Sequence, residues 1–249
     1  MSKQLRSELF KQRTTRTNAV LLGSMGGLIA LVVLLHMITL PAHDLSDRQG
    51  QLKVLGVGTT FGMMFASLLG AMSVTTEIRH GLIRPTFLAT PQRARVIVAK
   101  VAASAIAGAG LGLFAELLAV AVGSAALAGR GIHVAPTGAD LAQLLAGGAA
   151  AAALWAVIGV GVGAIVRNQV GALVGLVVWQ LFVEMTLIAS LPSAGKFAPG
   201  ASAGAIAGAI LEQTSTYLLA PALGALLIVG YAAAAIAAGV ITTARRDVG

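Results

Sequence analysis

Two carboxylates, Glu116 and Glu184, stand inside long apolar runs, and one compact basic stretch, Glu77 to Arg95, separates two such runs. These are the residues whose types and spacing could do chemistry. A carboxylate at membrane depth costs a few kcal/mol, so it must face protein, water or a headgroup rather than lipid. Each therefore has two readings. One is a substrate or ion pathway. The other is a protonated or hydrogen-bonded contact between helices, or a group near enough to the membrane edge to reach water; Glu184 precedes the end of its run at Leu191.

Catalysis within the chain is not expected. No G-x-x-x-x-G-K-[ST] occurs, and Gly195-Lys196 is followed by Phe197, so no phosphate-binding loop of that kind is present. His36, His43, His80 and His133 are scattered and no H-E-x-x-H joins any of them, which argues against a metal cage. Asp44, Asp47, Asp140 and Asp247 all lie outside the apolar runs, so an intramembrane aspartyl pair is excluded, and no nucleophile elbow is expected. There are no cysteines, hence no disulfide and no thiolate site. The sequence reads as a chain with no catalytic, cofactor-binding or metal residues of its own.

Composition sets the class of elements that must position these groups. At 57% apolar and 10% charged residues, with mean hydropathy +0.89, the 249-residue chain lacks the polar surface of a soluble domain. Six runs are nearly free of charge: Ala19–Leu40, Val54–Thr76, Val96–Ala128, Leu141–Val166, Val170–Leu191 and Leu218–Thr243. About 20 residues at about 1.5 Å rise cross the hydrocarbon. The runs are continuous rather than alternating, so helices and not barrel strands are expected. The fold class is all-α: a polytopic membrane protein with six transmembrane helices. The third run is too long for a simple span, and Gly108, Gly110 and Gly112 interrupt it, so it is expected to tilt, kink or begin as an interfacial helix near Ile97. Only Arg167, Asn168 and Gln169 separate the fourth and fifth runs, a tight hairpin. Gly58/Gly62, Gly108/Gly112, Gly159/Gly163 and Gly171/Gly175 have the four-residue spacing that lets helices approach in lipid, although glycine is common enough here for chance pairs.

Charge gives the threading. One side collects Lys3, Arg6, Lys11, Arg13, Arg16, Arg79, Arg84, Arg93, Arg95, Lys100, Arg167, Arg245 and Arg246, and the other only Arg48, Lys53, Arg130 and Lys196. The thirteen-to-four bias puts both termini in the cytoplasm. The net charge of +8 thus follows topology and is not gathered on one nucleic-acid-binding face. Residues 1–18 form a basic segment in which Leu5, Leu9 and Phe10 fit an interfacial helix, and equally a solvated tail. No cleavable signal is expected, since the first run is long and no small-x-small site follows it. Residues 19–244 make one transmembrane domain, and 245–249 a cytoplasmic tail.

The loop between the second and third runs is the most specific feature. Glu77, Arg79, Gly81, Ile83, Leu88, Pro91, Arg93, Ala99 and Lys100 fall into one pattern, with His80, Arg84 and Pro85 inside it. This pattern resembles the cytoplasmic coupling segment of the permease subunits of type 2 ABC exporters, with Leu82 in place of the usual threonine. The rest of the layout is also similar to that family: a basic N-terminal helix, six spans, and a weakly apolar external element at Gly200–Leu211 before the last span. The resemblance implies a bacterial plasma-membrane permease that dimerises, as homo- or heterodimer, around a translocation path. It implies two separate ATPase subunits carrying ATP and magnesium, contacting Glu77, Arg79, His80, Gly81, Arg84, Pro85, Pro91 and Arg93. On this reading Glu77 and Arg79 pair locally, and Glu116 and Glu184 are the candidates for the path.

Two other classes stay open: an ATPase-independent secondary transporter or channel, and a non-transporting regulatory membrane subunit. The membrane-spanning frame is checked separately from these. A reporter fused after Arg246 is expected to be active in the cytoplasm and one inserted in 41–53 outside; the reverse labelling overturns the threading.

Overall fold

The computed structural model describes residues 2–81, 93–208 and 219–245. Those residues form helices α1 (Ser2–Thr14), α2 (Arg16–Thr39), α3 (Arg48–Leu55), α4 (Val57–Arg79), α5 (Arg93–Gly129), α6 (Gly138–Val166), α7 (Gln169–Val178), α8 (Glu184–Ser190), α9 (Pro192–Gly195), α10 (Pro199–Ala207) and α11 (Pro221–Arg245). A π-helical turn, Trp179–Val183, joins α7 to α8. No strand occurs among the described residues. Among the described residues six stretches are long and apolar enough to cross a membrane: α2, α3–α4, most of α5, α6, α7–α8 and α11.

The centre of the bundle is α4 against α6. In the most apolar stretch of α3–α4, 83% of residues are buried, against 22% for α2, α7–α8 and α11, which are therefore peripheral. The contact is made by backbone. A Cβ at Gly70 of α4 would collide with the Ala156 carbonyl of α6, and one at Gly159 with the Ser67 carbonyl. At Gly163 it would lie 2.7 Å from the Ala71 oxygen. Helix α5 joins this pair through Gly62 and Gly112, and through Gly108 and Gly112 against Ala156, Ala152 and Gly148. In lipid such close approach supplies the packing attraction that hydrophobic burial cannot. Helix α2 is laid on α5 by Met25, Ile29, Val33 and Met37, a stripe at four-residue spacing that is buried throughout.

Helix α1 and the later part of α11 lie at one face of the bundle, beside the end of α4 and the start of α5, here the terminal face. At the opposite face the connections are tied by polar contacts. Gln51 is fully buried; its Nε2 donates to Leu45 O at 2.9 Å and His133 O at 2.8 Å, and its Oε1 accepts from Ala135 N at 2.8 Å. Arg48 donates through Nε to Asp140 Oδ2 at 2.8 Å, and its Nη2 meets Oδ1. Asp140 also completes a capping box with Thr137 at the start of α6.

The structure adds detail to three sequence readings. The third run is one continuous 37-residue helix, because Gly108 and Gly112 serve contacts with α6 and leave its hydrogen bonding unbroken. The second run is divided at Gly56, with α3 carrying the chain into α4. Of the four glycine pairs, Gly171/Gly175 marks no close crossing: Gly175 has open space around its Cβ position, and Gly171 meets only ordinary contacts from Val166 at the end of α6 and from its own N-cap Asn168.

These contacts predict an asymmetry. Gly70→Ala should destabilise the detergent-solubilised protein by about 1–3 kcal/mol, the usual penalty for overpacking. Gly175→Ala should leave the melting temperature unchanged or slightly higher. Equal melting curves for the two variants would remove α4–α6 contact as the organising interface.

Candidate functional site

At the terminal face the end of α4, the start of α5 and helix α1 converge on four charges. Lys100 is 4% exposed. Its Nζ donates to Glu77 Oε1 at 2.7 Å, Glu8 Oε2 at 2.9 Å and Ser73 O at 3.2 Å. Lys11 donates to Glu8 Oε1 at 2.8 Å and to Glu77 Oε1 at 3.0 Å. Two carboxylates and two ammonium groups thus balance in charge, with Lys11 half-exposed at the edge and Lys100 buried, which lets the buried charges be held at tolerable cost. A second row continues it: Gln12 Nε2 donates to Ser104 Oγ and that hydroxyl to Ser73 Oγ, both at 3.4 Å. The second oxygen of Glu77 is buried and has no hydrogen-bond partner.

Electrostatics favour the docked arrangement over a wide pH range. Burial alone would raise the Glu8 pKa, but Lys100 and then Lys11 outweigh it and hold the carboxyl below its ordinary 4.5. Burial likewise opposes charge on Lys11, yet Glu8 and Glu77 raise it above 10.5. The stabilisation from Glu8 is therefore lost only as pH falls through its depressed pKa, and that from Lys11 only as pH rises through its elevated one.

The residues singled out in the sequence distribute unevenly around this cluster. Glu77 is buried within it, but its partners are Lys11 and Lys100 and not Arg79, which is exposed and donates to Gln169 Oε1 at 3.3 Å. His80 is exposed and its Nδ1 is bonded back to Thr76 O at 2.8 Å. Gly81 ends α4 in the left-handed region at φ +67°, with nothing near its Cβ position, so its role is conformational rather than steric. Arg93 opens α5, and Arg84, Pro85 and Pro91 lie outside the described residues.

Glu116 and Glu184 occupy two different interfaces. Glu116 is fully buried where α5 crosses α4 and α6. One oxygen accepts the Thr59 hydroxyl; the other has no hydrogen-bond partner. Its walls are glycines: a Cβ at Gly58 would be 2.7 Å from Oε2, and one at Gly148 2.7 Å from Cγ. No Lys or Arg pairs with it among the described residues. Glu184 follows the π-helical turn and faces the start of α10. There Ala198 gives no side-chain cap and Pro199 has no N–H to cap, and Glu184 Oε1 accepts the Ala201 N–H at 2.9 Å. The carboxyl thus performs, from another helix, the work of an N-cap residue. Helix α10 itself is buried against α6 and α11.

Sequence reasoning missed Glu8, Gln12, Ser73 and Ser104, read Lys11 for topology alone, and placed Lys100 at the end of the coupling-segment pattern without its partners. Glu8, an acid in an otherwise basic segment three residues before Lys11, is the available signal. It also passed over a G-x-S-x-G spacing, Gly200-Ala201-Ser202-Ala203-Gly204. That serine is no elbow nucleophile: it lies inside α10, fully buried, with its hydroxyl on Phe197 O at 3.3 Å.

No protein-family model matches the chain, and no curated protein matches it in sequence.

Thr59 is the only described hydrogen-bond partner of the Glu116 carboxyl. Thr59→Val keeps the shape and removes that donor, leaving the carboxyl unsatisfied at a cost of about 1–3 kcal/mol. A lowered melting temperature is expected, and it should be smaller in a Glu116→Leu background. A wild-type melt for Thr59→Val would show that the hydroxyl does not hold the carboxyl.

Proposed function

We propose that the chain is the transmembrane permease subunit of an ATP-driven exporter of the type 2 ABC class, resident in a bacterial plasma membrane with both termini cytoplasmic. A dimer of such subunits forms the path, and separate ATPase subunits act on the 77–95 segment. The observation that carries this reading is the 2.7 Å contact between Glu77 and Lys100, the first and last residues of the coupling-segment pattern. A segment whose two stems are clamped together can transmit a push to α4 and α5 as one body. Six apolar spans and a buried outer helix before the last of them support the same reading.

In this mechanism the chain's residues do mechanical work. Gly81 turns the backbone out of α4 through a left-handed step that other residues adopt at a cost of about 1–2 kcal/mol. The basic residues Arg79, Arg84 and Arg93 offer charge to an acidic ATPase surface. The α4–α6 backbone contact then carries displacement into the bundle, where Glu116 sits at the three-helix crossing.

The test is biochemical. The purified chain alone should show no ATPase activity, while a partner ATPase should co-purify with it and gain transport-coupled hydrolysis. Gly81→Val and Arg84→Glu should insert normally yet lose coupling or co-purification. If both variants bind and couple as wild type, 77–95 is not the coupling segment. If no ATPase binds the wild-type chain, the ATPase-independent transporter takes its place.

A further inference from the structure

The geometry points to α1 as a releasable strap: docked, it seals the Glu77–Lys100 pair from water and fixes the spacing of the α4 and α5 ends; undocked, it leaves those ends joined by that pair alone. Its consequence for coupling rests on the function proposed above, whereas the strap itself is a property of these described residues.

Three observations lead there. First, the attachment is mostly polar. Helix α1 is held by Glu8, Lys11 and Gln12, while Leu5 and Leu9 are only partly buried and Phe10 is 66% exposed. A surface held by ion pairs can part and rehydrate without exposing a large apolar face. Second, a hinge is built in. Thr15 alone separates α1 from α2, with φ −79° and ψ 120°, so α1 can swing about one extended residue while α2 stays on α5, at the loss of the 2.6 Å bond from Asn18 Nδ2 to Gln12 O. Third, α1 determines how strong the stem pair is. Glu8 supplies one of the three acceptors of Lys100, and Lys11 shares the oxygen of Glu77 that Lys100 uses. With α1 in place the pair is buried and tight. With α1 gone it faces solvent, where an isolated ion pair contributes little. The same two residues thus hold the stems firmly or loosely according to the position of a third element.

The imperfect fit of the interface agrees with release. Buried Gln12 Oε1 and Glu77 Oε2 have no hydrogen-bond partner in the docked state, and both would gain water on undocking. The charged groups facing Glu8 are Lys11 on its own helix and Lys100 on α5, with Glu77 of α4 alongside.

The absence of cysteine makes the test clean. Gln12→Cys with Ser104→Cys, in the full chain in lipid nanodiscs, would be joined by a short reducible bis-methanethiosulfonate, and chymotryptic cleavage at Phe87 followed over time. The joined protein should be cut several-fold more slowly than after reduction. Glu8→Gln alone should be cut several-fold faster than wild type, and adding the joined cysteine pair to Glu8→Gln should restore slow cutting, which separates release from misfolding. Equal cutting rates in the joined and reduced forms overturn the strap. The readout involves no ATPase, so failure of the exporter reading would appear only as missing ATPase binding, with the cleavage pattern intact.

Discussion

Backbone contact between α4 and α6 is the constraint on which the other placements depend. Lipid tails are as apolar as leucine, so burying leucine between helices gains little, and close approach must come from residues with almost no side chain. Gly70 and Gly159 place each helix against a carbonyl of the other, and the alternation of small residues continues through Ala66, Ala152 and Ala156. Once this pair is formed, α5 can enter only along the same small-residue groove, through Gly62, Gly108 and Gly112. The bulky exposed side chains of α2, α7 and α11, such as Ile38, Val170 and Leu226, then remain on the periphery.

The close approach also decides how the polar groups are satisfied. Around Glu116 the glycine walls leave space for the carboxyl but bring no side-chain donor other than Thr59, so one oxygen stays unsatisfied. At the terminal face the helices end, longer side chains fit between them, and four charges neutralise one another. Removing one member of such a buried set costs more than the set contributes, because it strands the opposite charge. Glu184 solves a different problem: α10 starts at a proline behind an alanine, and its first turn borrows an acceptor from another helix.

What the sequence made legible follows from range. Span number and approximate ends depend on local length and apolarity, and these were readable; so were the hairpin at Arg167–Gln169 and a short helix near Gly200. The break at Gly56 and the continuity of α5 were not, since a glycine in an apolar run looks the same whether it ends a helix or admits a neighbour. The partners of Glu77 were hidden for a related reason. Arg79 is two residues away, on a different side of the helix, whereas Lys11 and Lys100 are 66 and 23 residues away and reach Glu77 only because the bundle brings three helix ends together.

The arrangement of α4 links these observations. One end continues from α3, which is anchored by Gln51 and by Arg48 on Asp140; its middle is locked to α6 by carbonyl contact; its other end is released by Gly81 just past the charge cluster. A rod fixed at two places moves as a lever only if its third point is held stiffly to whatever pushes it. That third point is Glu77, and its stiffness depends on whether α1 keeps water from its pair with Lys100. On the proposed function, burial of this one ion pair sets how much of a push on the ends of α4 and α5 reaches the three-helix crossing at Glu116, and α1 governs it through Glu8 and Lys11.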